Sequence, residues 1–136
     1  MSRVLTGHQV NPVNDTLTIT VTDEPGSGGA NHCYVIGTGT HEGIDWNRNA
    51  SLPTDLKYGD TAILFQNGPI NIAGVNGVTH EVLLAILIDR MQGFQRGAYA
   101  SDDNEQALTH MVYAQEALQR RTKARMLRGV EGTLVV

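Results

Sequence analysis

Seven apolar residues stand in succession at Val82, Leu83, Leu84, Ala85, Ile86, Leu87 and Ile88, after a Thr79-His80-Glu81 start and before Met91. Threonine is a good helix N-cap, and Glu81 in the first turn complements the positive end of a helix dipole. The predicted helix is therefore apolar on most of its sides. Such a helix has to be wrapped by a sheet or shared with another subunit. The run is far too short to cross a bilayer. The helix is expected to stop near Gln92-Gly93, where glycine is a natural terminator.

A second helix is predicted from Ser101 or Asp102 to Gly129. Leu108, Met111, Val112, Gln115 and Leu118 keep to one stripe at helical spacing. Asp102, Asp103 and Glu105 at its start and bases at its end suit the macrodipole. The tail 131–136 reads as short and extended. Ahead of the helices the period changes to two. Leu17, Ile19 and Val21 alternate with Thr16, Thr18, Thr20 and Thr22, as in a half-buried strand of an antiparallel sheet. A glycine-rich loop follows over 23–29. Further strands are expected at 32–37 (HCYVIG) and 61–66 (TAILFQ), with the polar segment 39–60 a long loop holding a short strand or turn. The expectation is one α+β domain, 1–136. An N-terminal antiparallel β-sheet (β-rich 1–75) is followed by two C-terminal α-helices (helical 78–129), which form much of a homo-oligomer interface.

With 136 residues and only 5% aromatics, the core must lean on Leu, Ile and Val. The net charge of −4 argues against a surface that coats nucleic-acid polymers. The charge is uneven, however. Arg120, Arg121, Lys123, Arg125 and Arg128 are five of the ten basic residues and all lie in the last 17 positions. A local basic site on an acidic chain suits a small anion better than a polyanion. The single cysteine, Cys33, permits neither an internal disulfide nor a cysteine-rich metal site. The start, MSRVLTGHQV, lacks the long apolar core of a signal peptide. A cytoplasmic protein with no membrane partner is expected.

Several motifs fail on inspection. Gly26, Gly28 and Gly29 are not followed by Gly-Lys-Ser/Thr, and Gly37-Thr38-Gly39 meets Glu42 where a third glycine belongs. Neither opens a helix, as a phosphate-binding turn of that type requires. His80-Glu81 begins a zinc-protease motif, but Leu84 stands where the second histidine should be. The histidines at 8, 32, 41, 80 and 110 have no metal spacing, and each reads as structural or surface. No catalytic set emerges. Arg121 and Arg125, four apart, project from one helical face. They read either as a bidentate phosphate clamp or as a solvated basic helix end. Phe94, in the Gly93-Phe94-Gln95-Arg96-Gly97 connection, is either a purine-stacking ring or a hydrophobic plug. Asn104 either reads a base or ribose edge or serves as a cap.

The run Gly74-Val75-Asn76-Gly77-Val78-Thr79, then 83–90 (LLAILIDR), then Gly93-Phe94-Gln95, resembles a known helical block. So do Asn104-Glu105-x-Ala107-Leu108, Arg120-Arg121-Thr122-x-x-Arg125 and 128–133 (RGVEGT). Together, over roughly 60–136, they resemble the first-described class of phage-encoded Thoeris anti-defence proteins. The resemblance implies a sponge, with no cofactor, acting in the cytoplasm of an infected bacterium. It binds a glycosidically cyclised ADP-ribose signal without cleaving it, so the Thoeris effector is not triggered. It implies that Phe94 stacks on adenine, that Asn104 hydrogen-bonds the ligand, and that Arg121 and Arg125 hold the pyrophosphate. The family's glycine-and-alanine loop is similar to Gly28-Gly29-Ala30-Asn31, which adds Ala30 and Asn31 to the site. Some members form hexamers as trimers of dimers and also sequester cyclic trinucleotides.

Helix arithmetic constrains this assignment. Asn104 and Arg121 lie 17 positions apart, about 25 Å along one helix at roughly 1.5 Å per residue. They reach one small ligand most simply if two copies pack this helix antiparallel, giving a homodimer with two equivalent pockets. A signal-degrading hydrolase and a structural phage protein without ligand remain the alternatives. The first needs a general base near the phosphates. The second needs only subunit contacts from the basic helix end.

Overall fold

The threonine alternation does build a strand. A computed structural model of the chain describes residues 2–40, 42–48 and 58–136. In it β2 (Thr18–Val21) lies inside a four-stranded antiparallel sheet, between β1 (Arg3–Leu5) and β3 (Cys33–Gly37), with β6 (Thr61–Leu64) beyond β3. The register aligns Leu5, Ile19, Ile36 and Thr61 in one row, and Arg3, Val21, Tyr34 and Ile63 in the next. Period two puts both rows on one face. That face holds Val21, which is fully buried, whereas Val4 and Leu64 on the opposite face are about half exposed. Tyr34 meets Phe65 edge to face at 5.6 Å, which extends the covered side past the end of β6.

Two elements here were not expected from the sequence. One is β1, only three residues long. The other is the helix α1 (Pro12–Thr16), capped by the Asn11 side chain with proline in its first turn. The Asn11-Pro12 pair is the signal that marks such a start. The polar segment after β3 contains a short antiparallel pair, β4 (Ile44–Asp45) with β5 (Tyr58–Gly59), and a single turn at Trp46–Arg48. The rest of it, 49–57, lies outside the described residues, as does His41.

The chain divides into two compact units, Met1–Asn67 and Gly68–Val136. The second is helical: α2 (Ile70–Ala73), α3 (His80–Gln95) and α4 (Asp102–Leu127). Thus an antiparallel sheet precedes the helices, an α+β fold. As expected, Thr79 caps α3, accepting from the Val82 N–H, and Ser101 caps α4, accepting from the Asn104 N–H. Contrary to expectation, α3 does not stop at Gly93 but runs to Gln95. Glycine inside a helix costs under about 1 kcal/mol. Here the Gln95 amide recovers stability by bonding forward: its Oε1 accepts from the Ser101 N–H, and its Nε2 donates to the Ser101 carbonyl and to Glu105.

α3 and α4 pack as a hairpin. Ile88 is buried in it, and the expected α4 stripe of Leu108, Met111, Val112, Gln115 and Leu118 is half-buried throughout. The over-apolar character of α3 persists in the fold, because Val82, Ile86 and Leu87 stay about half exposed. At 26 residues against 16, α4 outreaches α3 by about 15 Å. The arginines at 120, 121, 125 and 128 fall on that overhang. Among the described residues, no helix is long and apolar enough to cross a membrane.

Since the Ser101 hydroxyl satisfies an otherwise unpaired amide of α4, Ser101→Ala should cost about 1 kcal/mol. Urea denaturation followed by helical circular dichroism checks this, and an unchanged midpoint would contradict the capping assignment.

Candidate functional site

The bend of the helical hairpin opens onto a cleft of about 530 Å³, lined by Ile86, Asp89, Arg90, Gly93, Phe94 and Tyr99 among others. Residues 86, 89, 90 and 93 share one face of α3 because they are three, four and seven apart. The half-buried ring of Phe94 also lines the cleft. The guanidinium of Arg90, one turn before Phe94, lies 4.9 Å from the ring centroid. This is a cation–π contact, and it places a positive charge beside an aromatic wall. Arg96 also lines the cleft, so two cations and one anion (Asp89) set its charge. Sequence reading singled out Phe94 but not Arg90, Arg96 or Tyr99. The (i, i+4) spacing of Arg90 and Phe94 was the available signal.

Asn104 belongs to this corner. Its Nδ2 donates to the Tyr99 carbonyl at 3.1 Å, so it fixes the 96–101 connection that rims the cleft. The N-terminal cap is Ser101, not Asn104. One N–H and the amide oxygen of Asn104 remain for a ligand. The structure therefore brings Phe94 and Asn104 together at one end of the hairpin.

Arg121 and Arg125 lie at the other end of an unbroken α4, and they differ from each other. Arg121 is exposed, whereas Arg125 is half-buried. After Arg128 the chain reverses through Gly129, whose φ is +71°. The Gly129 N–H bonds to the Met126 carbonyl and the Val130 N–H to the Arg125 carbonyl. This is the Schellman pattern of hydrogen bonds. It carries the tail back alongside Arg125, so 131–136 is turned, not extended. Arg125 Nε donates to Glu131 Oε2 at 2.9 Å, Nη1 to the Val135 carbonyl at 2.6 Å, and Nη2 to the carbonyls of Val130 and Thr133 at 2.8 and 3.2 Å. Arg128 adds a bond from Nη2 to the Val136 carbonyl.

The Ala30-Asn31 segment lies in the sheet unit. Asp23 organises it: its carboxylate accepts from the N–H groups of His32 and Cys33, and its carbonyl accepts from Asn31 Nδ2. Arg3 donates to Asn31 Oδ1 at 2.7 Å, so the Asn31 side chain is held at both ends. The Ala30 carbonyl accepts from the Gly26 N–H, which closes the loop. Burial would raise the Asp23 pKa, but the backbone N–H bonds and the neighbouring His32 outweigh it, and the carboxyl titrates below its ordinary value. His32 is buried with Nδ1 4.0 Å from Asp23 Oδ2, and His8 Nε2 bonds the Leu17 carbonyl. His110 is on the surface. No group of three or more metal-binding side chains occurs among the described residues.

These features define a small α+β protein with an arginine-rimmed cleft at the bend of a helical hairpin and a basic overhang at the hairpin's far end. No family model matches the chain. A curated relative, Thoeris anti-defense 1 of Bacillus phage SBSphiJ7, is 44% identical over 93 residues. That stretch is 68% of this chain and 66% of the relative, just under two thirds of the relative's own length. The chain belongs to this Thoeris anti-defence family.

The lowered Asp23 pKa has a testable consequence. A depressed folded pKa stabilises above the ordinary aspartate range, near pH 4, and the stabilisation is lost as pH falls through the lower folded value. Asp23→Asn should therefore melt at a lower temperature than wild type at neutral pH. The gap should close as the pH falls below the ordinary aspartate range, near pH 4. A gap that persists in acid would contradict this role.

Proposed function

We propose that this chain is a phage anti-defence sponge. It binds a glycosidically cyclised ADP-ribose signal in the cytoplasm of the infected host and holds it uncleaved, so that the Thoeris effector stays idle. Family membership carries the reading, since the relative is by name a Thoeris anti-defense protein. The cleft beside Phe94 supplies the chemistry. An adenine stacked on Phe94 gains about 1–3 kcal/mol. Asn104 offers its amide oxygen or its second N–H to the ligand. Arg121 and Arg125 present forked donors to a pyrophosphate, and the resemblance alone adds Ala30 and Asn31 to the ligand-binding residues.

Phe94 with Asn104 lies about 25 Å from the arginine pair along α4, more than one small ligand spans. The site is therefore completed by a second copy, whose α4 runs antiparallel and brings its Arg121 beside the first copy's cleft. The exposed Val82, Ile86 and Leu87 give such a partner an apolar surface. A dimer of this kind carries two equivalent pockets. Hexamer formation and capture of cyclic trinucleotides are implied by the resemblance alone. Sequestration requires affinity without turnover, and nanomolar binding corresponds to about 12 kcal/mol.

Titration calorimetry with cyclised ADP-ribose isomers tests the pocket. Phe94→Ala should weaken binding by about tenfold to a hundredfold, and Arg121→Ala by about tenfold or more. Isotherms equal to wild type would remove these residues from the site. Mixing Asn104→Ala and Arg121→Ala chains should restore tight binding to half of the pockets in mixed dimers. No recovery would contradict a pocket shared between copies.

A further inference from the structure

Arg125 poses a conflict that the proposed function does not resolve. A guanidinium has five N–H donors, and four hydrogen bonds to the tail already use four of them. One acceptor is the carboxylate of Glu131, 40% exposed and facing an arginine side chain that is only 22% exposed. The tail is also seated by shape. Gly132 has φ +79°, and a Cβ there would lie 2.7 Å from Ile70 Cγ1, so only glycine fits against α2 at that point. Thr133 locks the turn, with its N–H and hydroxyl both donating to the Val130 carbonyl and its Oγ1 accepting from the Val135 N–H.

We propose that the tail 130–136 is an internal stand-in for an anionic ligand. The Glu131 carboxylate and the tail carbonyls hold Arg125 until a ligand phosphate displaces Glu131 and frees the tail. The inference rests on reading Arg125 as a phosphate clamp. The two occupants use the same N–H groups, so binding and tail release are linked, and the linkage is reciprocal. The arrangement keeps an arginine ordered and paired in the empty protein. It also discriminates, because a lone phosphate has only its charge with which to displace the tail, whereas a stacked nucleotide has a second source of binding energy.

Amide exchange at Thr133 and Val135 in the full-length chain reads the latch, with inorganic pyrophosphate as the probe. Without anion, Glu131→Gln and Gly132→Ala should each speed exchange at these amides by about threefold or more. In wild type, added pyrophosphate should speed the same amides, and its half-effect concentration should fall about threefold in Glu131→Gln. Amides that pyrophosphate leaves unchanged or protects would overturn the proposal. So would a half-effect concentration that Glu131→Gln leaves unmoved or raises, or variants whose exchange matches wild type. Pyrophosphate carries no base, so the two readings separate. Tail release by pyrophosphate without binding of cyclised ADP-ribose removes the nucleotide reading and keeps the latch. Tight nucleotide binding with unmoved tail amides removes only the latch.

Discussion

The Gln95 side chain fastens the bend on which the helical unit depends. Its amide bonds both the N–H and the carbonyl of Ser101 and reaches Glu105, so the end of α3 and the start of α4 are tied at one corner. Phe94 precedes Gln95, and Asn104 stands in the first turn of α4 after its Ser101 cap, tied to the Tyr99 carbonyl. The Phe94 side of the cleft and the connection that rims it are therefore set by the same few bonds that close the hairpin. A loop of ordinary flexibility would leave Phe94 and Asn104 to be ordered when a ligand arrives, at a cost in binding energy.

The length of α4 sets the rest. Because it outreaches α3, its arginines are not paired against α3 residues and remain for other acceptors: a tail that folds back, or a ligand. Arg125 takes the tail, while Arg121 stays exposed. The unequal partners of two residues on one helical face follow from the Schellman turn at Gly129, which returns the chain past Arg125. The same length keeps Arg121 and Arg125 away from Phe94 and Asn104 within one chain, which is the basis for the proposal of a pocket shared between copies.

Much of this was legible in the sequence. Thr79, Ser101 and Gly129 punctuate both long helices through local chemistry, and threonine alternation marks β2. The strands at 32–37 and 61–66 were read to within one or two residues. β1 and α1 were missed because three to five residues carry too little periodicity, although Asn11-Pro12 held a capping signal. The reach of α3 through Gly93 depends on a bond to Ser101 six residues on, beyond what a local rule sees. Phe94 and Asn104 stand ten apart across a short connection, so their meeting at one corner was within reach of sequence. The Arg125–Glu131 pair depends on how the chain turns after α4, and an expected extended tail hid it.

On the proposed reading the protein holds a nucleotide signal and does no chemistry on it. The direct measurement is to saturate the protein with a cyclised ADP-ribose, remove unbound ligand, denature by heat and identify what is released by mass spectrometry. Recovery of the intact cyclised molecule, in proportion to binding sites, is the expected result. Recovery of a linear or hydrolysed product would contradict it and point to an enzyme.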